Sequence, residues 1–288
     1  MERMVRCLFF LMLISPPVFA EKVVWRMETI TSHLQVLFGR GGNIAVHVGD
    51  EGVYIVDDQF AALSEDIKRQ INTIQPGLPE FVINTHFHGD HTGGNAPFAT
   101  DGSHIVAHHH VRERLENAHG AGSTVLPRLT FGSDLTLHFN NEHAVIQHFE
   151  HAHTDGDAVV FFTVANAVHM GDLYFNTGSL PFVDVDSGGS VDGLLAALYT
   201  VHRRIGPSTT LIPGHGALGN KVDLERYIAL IERARNRVLD AIMTDKTESA
   251  VLAADPLDEL GLEYSSWLPK ERVTRLFYRS LCNDACFK

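Results

Sequence analysis

The densest run of metal-binding side chains in this sequence is His86-Phe87-His88-Gly89-Asp90-His91. It follows an apolar stretch, Phe81-Val82-Ile83, which reads as a short buried strand. Imidazole and carboxylate are suitable zinc donors. In a tight loop His86 and His88 turn toward one ion, and Asp90 and His91 toward another. Three more candidates stand further along, at His153, Asp172 and His215. Each follows or flanks an expected strand, with Val145–Ile146, Ala167–Val168 and Leu211–Ile212 nearby. Rigid strands that present donors from their loop ends make a preorganised site. Any one of these residues could be an ordinary solvated loop side chain; the set together argues for metal.

The elements that must position these residues alternate along the chain. Residues 22–38 read as one or two opening strands, and 39–49 as glycines leading into a third. A hairpin turn at Gly49–Gly52 leads to a strand over 51–58. Leu63, Ile67 and Ile71 are spaced for a helix over 61–75. A strand at 103–107 and a helix over 108–117 follow, with His108, His109 and His110 read as solvated or helix-capping. The second half offers strands near 135–139, 143–150, 158–163 and 166–170, then a long loop over 173–188. A helix capped by Ser190 runs to His202, a strand occupies the start of 210–216, and an amphipathic helix covers 222–243. Two shorter helices complete the chain. The order strands, helix, strand, helix therefore runs twice, which predicts two packed sheets with helices outside.

Bulk properties narrow the function. Residues 1–20 read as an export signal: Arg3 and Arg6 open it, Cys7 to Ile14 is apolar, and cleavage is expected after Ala20. Residues 21–288 would then form one metal-binding domain with a helical C-terminal segment, secreted or periplasmic. The apolar stretch is too short to span a membrane, so no stable insertion is expected after signal removal. The 23 basic and 35 acidic residues give a net charge of −12, which disfavours nucleic acid. Beyond the leader only Cys282 and Cys286 remain, free or paired across a short loop.

The motifs NTHFHGDHTGGN at 84–95, HTDGD at 153–157, GD at 171–172 and PGHG at 213–216 resemble, in order, those of the metallo-β-lactamase-fold hydrolases. The first is highly specific; the others persuade only in series. The resemblance implies an α/β fold, the four-layer αβ/βα sandwich. It also implies two zinc ions per chain, with iron as the minor alternative. His86, His88 and His153 would hold the first ion, and Asp90, His91 and His215 the second, with Asp172 bridging. Asp57 looks like the family's buried supporting aspartate, and His151 is expected to support the loop around His153. The implied chemistry is hydrolysis by a metal-activated hydroxide, with Asp90 orienting it and moving its proton.

The substrate is less legible. Aspartate at 172 resembles thioester hydrolases, lactonases and phosphodiesterases, whereas a large subclass of true β-lactamases has cysteine there. Residues 173–189 contain no lysine or arginine to meet a substrate carboxylate; Phe175 and Asn176 occupy that region instead. Asp184, Asp186 and Asp192 would add negative charge at the entrance. The sequence therefore points to a di-zinc hydrolase opening an ester, thioester, lactone or lactam carbonyl. The alternatives are a true metallo-β-lactamase with antibiotic substrates and a non-catalytic periplasmic metal-binding protein.

Overall fold

The computed structural model describes residues 23–245 and 247–285. The expected export signal and the Cys282–Cys286 pairing depend on residues outside that range. Seven strands form the first sheet in chain order: β1 (Arg26–Thr29), β2 (Leu34–Phe38), β3 (Ile44–Gly49), β4 (Gly52–Val56), β5 (Pro79–Ile83), β6 (His104–His108) and β7 (Leu129–Phe131). β1 to β4 run antiparallel, and β4 to β7 are parallel. The second sheet contains β8 (Asp134–Phe139), β9 (Glu142–Phe149), β10 (Asp157–Phe162), β11 (Ala167–His169) and, beyond β12 (Phe175–Asn176), β13 (Thr210–Ile212). Its order is β13-β11-β10-β9-β8, while β12 pairs with β14 (His215–Gly216) as a separate ribbon.

Period-two alternation sets the layers. In β4, Tyr54 and Val56 face the second sheet, while Val53 and Ile55 face the helices α1 (Ser64–Ile74), α2 (Gly89–Thr92) and α3 (Asn95–Thr100) on their side, where Ile67, Ile71 and Phe98 pack. In β10, Ala158, Val160 and Phe162 face the first sheet. Val159 and Phe161 turn outward. After α4 (His109–His119), the remaining helices α5 (Val191–Arg204), α6 (Lys221–Asp245), α7 (Glu248–Ala254) and α8 (Lys270–Ala285) cover that outer face of the second sheet. Two sheets flanked by helices make the αβ/βα sandwich that the sequence predicts.

The expected elements appear close to their expected bounds. Ser190 caps α5 by accepting from the Gly193 amide at 3.2 Å. The short elements β7, α2, α3 and the β12–β14 ribbon were not foreseen, because two to six residues carry too little periodicity to separate from loop. No described helix is long and apolar enough to cross a membrane.

Ile146 is fully buried between the sheets, whereas Val164 is 66% exposed. Ile146→Ala should cost about 2–5 kcal/mol in urea unfolding. Val164→Ala should stay within about 0.5 kcal/mol. Equal effects would contradict the placement of the core.

Candidate metal centre

Four strands end at one edge of the sandwich, and the candidate donors sit in the segments that leave it. His86, His88, Asp90 and His91 follow β5, His153 follows β9, Asp172 follows β11 and His215 follows β13. The seven fall into two sets whose donor atoms lie within 4.8 Å of one another: His86, His88, His153 and Asp172, then Asp90, His91 and His215. In the first, His88 Nδ1 lies 3.0 Å from both His86 Nε2 and His153 Nε2. Asp172 Oδ2 lies 3.7 and 3.6 Å from the latter two nitrogens. In the second, Asp172 Oδ1 is 3.1 Å from His91 Nε2 and 3.5 Å from His215 Nε2. Asp90 Oδ2 is 3.2 Å from His215 Nε2 and 3.6 Å from His91 Nε2. Asp172 thus turns one oxygen to each set.

Such spacing fits metal ions. Donors at about 2 Å from a tetrahedral ion stand about 3.3 Å from each other. His91 Nε2 and Asp172 Oδ1 are buried and, despite their proximity, have no hydrogen-bond partner. Native proteins rarely leave such atoms unpaired, and a cation would satisfy both. The opposite ring nitrogens are held from behind by oxygens. His91 Nδ1 meets Asp57 Oδ2 at 2.7 Å, His88 Nε2 meets Asp184 Oδ2 at 3.0 Å, His153 Nδ1 meets the Phe182 carbonyl at 2.7 Å, and His86 Nδ1 meets Thr85 Oγ1 at 3.0 Å. This support fixes ring orientation and tautomer.

Electrostatics divides the sets. Burial holds His86 well below the ordinary histidine range and takes His153 down to about 4. Burial also opposes a charge on His215, but Asp172 and Asp90 outweigh it and bring that ring up to about 9. His91 is raised in the same way, against burial, by Asp172, Asp57 and Asp90. Burial works against ionised Asp172 as well, yet His91, His215 and His86 hold it well below the usual carboxylate range. Protons on His91 and His215 would leave as a dication takes their place.

The loop before β3 also shapes the centre. Gly42 lies so close to His91 that an added Cβ would meet its ring at 2.2 Å. Asn43 Nδ2 donates to the carbonyls of Pro213 and Gly216 at 2.8 and 3.0 Å, fixing the turn that carries His215. Asp57 is fully buried with a left-handed φ of 64°, its other oxygen accepting from the Thr85 amide at 2.8 Å. A strained non-glycine residue here keeps the carboxylate aimed at His91.

His151 Nδ1 meets the Gly188 carbonyl at 3.0 Å, tying two loops together from a largely exposed position. Other expectations need correction. Asn176 does not line the cleft, because its Nδ2 is spent on the carbonyls of Ala217 and Leu218 at 3.0 and 3.2 Å. Asp184, expected at the entrance, instead supports His88. Asp186 pairs with Arg279 and Asp192 with Arg235, so their charges are locally answered. Phe175 does line the cleft, stacked on His215 with ring centres 5.3 Å apart.

That cleft has a volume of about 960 Å³, with Asp90, Asp172 and His215 in its lining. Phe60, Phe175, Leu180, Phe182 and Trp267 supply apolar wall, while Arg40 and Glu263 bring charge. Trp267 packs edge-on to Phe182, with centres 5.3 Å apart. Nothing local in residues 263–268 marks them as reaching this cleft.

Comparison with known proteins places these features in context. A family model described as the metallo-beta-lactamase superfamily matches residues 38–218, which include all seven donors. The chain is 30% identical over 145 residues to a hydroxyacylglutathione hydrolase of Polaromonas sp., covering 49% of this chain and 50% of that protein. It is 28% identical over 163 residues to the 2,4-dinitroanisole O-demethylase subunit alpha of Nocardioides sp., covering 56% and 48%. The chain spans about half the length of these curated relatives. A metallo-beta-lactamase from Pontibacter korlensis superposes with a TM-score of 0.64 at 17% identity, over 73% of this chain and 99% of that one. At that identity the likeness is one of fold.

Two outcomes follow from the geometry. Asp57→Asn and Asp184→Asn should each weaken zinc binding about 10–100-fold in a competition titration. Unchanged affinity in both would remove their supporting role. A Cβ on residue 214 would lie 2.0 Å from Asp172 Oδ1. Gly214→Ala should therefore lower metal content while leaving the far-ultraviolet circular dichroism intact; full metal loading would contradict the placement of Asp172.

Proposed function

The chain belongs to the metallo-beta-lactamase superfamily, and on that premise we propose that it is a di-zinc hydrolase of small carbonyl substrates, an ester, thioester, lactone or lactam. The observation that carries this reading is the convergence of seven donors from separate loops, with Asp172 facing both sets, on the floor of an open cleft. The donor chemistry, imidazole with carboxylate, suits zinc and, second, iron. The Arg-led apolar stretch of residues 1–20 supports a secreted or periplasmic location.

Bound here, two cations would supply a water acidic enough to attack at neutral pH and a Lewis acid for the carbonyl oxygen. The chain's own residues do the rest. Asp90 lies at the cleft surface, its Oδ2 3.2 Å from His215 Nε2. Burial works against its charge, but His91 and His215 hold it below the ordinary range, so it is an acceptor at neutral pH. Its carboxylate would orient the attacking water and take its proton. Phe175 fixes the His215 ring by stacking. The aromatic wall would receive the apolar body of the substrate beside the reacting carbonyl.

The relatives' names differ, a hydroxyacylglutathione hydrolase and a 2,4-dinitroanisole O-demethylase subunit, so substrate choice has to come from the cleft. A panel of penicillins, cephalosporins, carbapenems, acyl thioesters and lactones, run with zinc analysis, separates these readings. At least two zinc ions per chain, with turnover of at least one class, are expected. Asp90→Ala should then lower kcat by about 10²- to 10⁴-fold. Full zinc loading without turnover would favour a non-catalytic metal-binding protein, and parental rates without metal would overturn the mechanism.

A further inference from the structure

A second imidazole cluster lies outside the cleft. His108 ends β6, His110 stands in the first turn of α4 and His148 is on β9. One nitrogen from each lies within 4.8 Å of the others. The rings of His108 and His148 stack with centres 3.6 Å apart. His110 stands edge-on to both, at 4.8 and 6.3 Å.

Hydrogen bonding prepares two of these rings to bind. His110 Nδ1 lies 2.9 Å from the Asp155 carbonyl, and His148 Nδ1 lies 2.9 Å from the Asp157 carbonyl. A carbonyl only accepts, so each Nδ1 carries the hydrogen and each Nε2 keeps its lone pair. An oxygen behind the ring is also the usual support of a metal-binding histidine. His108 is buried, and its Nε2 has no hydrogen-bond partner. Its Nδ1 accepts a long 3.4 Å bond from the His110 amide, a contact that must give way, with the ring hydrogen moving to Nδ1, before Nε2 can offer a lone pair. Burial, reinforced by His148, pushes His108 down to about 3, and burial also lowers His148, so both are neutral at ordinary pH. Nearby carboxylates are engaged elsewhere: Asp155 with Arg114 at 2.7 and 2.6 Å, and Asp157 with Thr154 at 2.7 Å.

We propose that His108, His110 and His148 form a third cation site, separate from the cleft, for a borderline transition-metal dication such as Zn²⁺, Ni²⁺ or Cu²⁺. An all-imidazole set suits these ions, whereas Mg²⁺ and Ca²⁺ require oxygens. An ion lies along a ring nitrogen's lone pair, so His108 and His148 must turn from face-to-face stacking to meet it. His110 and His148 are half-buried, which leaves room for water on the remaining positions.

The test compares the full chain with His110→Ala/His148→Ala, both stripped by chelator, reloaded with Zn²⁺ and freed of excess by gel filtration. The variant should lose one zinc per chain relative to the parent, while its near-ultraviolet circular dichroism matches. One equivalent of Cu²⁺ added to parent loaded with only two zinc ions per chain should show imidazole nitrogen splitting in its electron paramagnetic resonance spectrum, absent from His148→Ala treated in the same way. Equal zinc content in the two proteins, or a copper signal that survives His148→Ala, would make the extra ion adventitious and overturn the site. The readout is a difference between proteins, so it holds whether or not the cleft hydrolyses anything.

Discussion

A single buried carboxylate, Asp172, constrains the rest of the structure. It is 5% exposed and faces two groups of histidines, one oxygen to each. A carboxylate taken out of water at such a site is costly unless positive charge meets it. Without a cation only His91 and His215 can supply that charge, and both are shifted upward accordingly. The strands must therefore end together at one edge, because a displaced loop would leave Asp172 or a histidine unanswered. The Asn43 contacts to Pro213 and Gly216 and the Asp57 contacts to Thr85 are the local devices that keep those ends in register.

How much was legible follows from distance along the chain. His86, His88, Asp90 and His91 could be read because they are contiguous and follow an apolar strand. His153, Asp172 and His215 were legible as a series, since each follows its own strand. The two-sheet architecture followed from alternation in elements such as β4 and β10. Asp184 was misread because its partner, His88, is 96 residues away and nothing local marks the contact. Asn176 was misread for the complementary reason: neighbouring Phe175 faces the cleft, and an amide beside it looks like a substrate contact until its donors are traced to Ala217 and Leu218. His148 gave no signal, since a histidine in an alternating strand reads as a solvated face.

The helical C-terminal part has two roles. α5, α6, α7 and α8 bury the outer face of the second sheet, with Val238, Ile242 and Phe277 in that core. The segment before α8 turns back to the cleft and delivers Trp267 to Phe182. Arginines on α6 are answered rather than gathered: Arg235 by Asp192 and Arg237 by Glu259. This helical region therefore contributes an aromatic wall to the cleft, backed by the Arg272 guanidinium 5.0 and 5.1 Å from the Phe182 and Trp267 ring centres.

The turn over 153–157 joins the two imidazole clusters. His153 belongs to the cleft, while the carbonyls of Asp155 and Asp157 hold His110 and His148. Asp157 ties the turn internally by accepting from the Thr154 amide and hydroxyl. Arg114 on α4 clamps Asp155 through both oxygens. The same short segment thus carries a donor on one side and orients two rings on the other, with few free torsions between. His110 and His148 are thus tied through carbonyl contacts to the turn that carries His153, whose own Nδ1 is held by the Phe182 carbonyl on the cleft side.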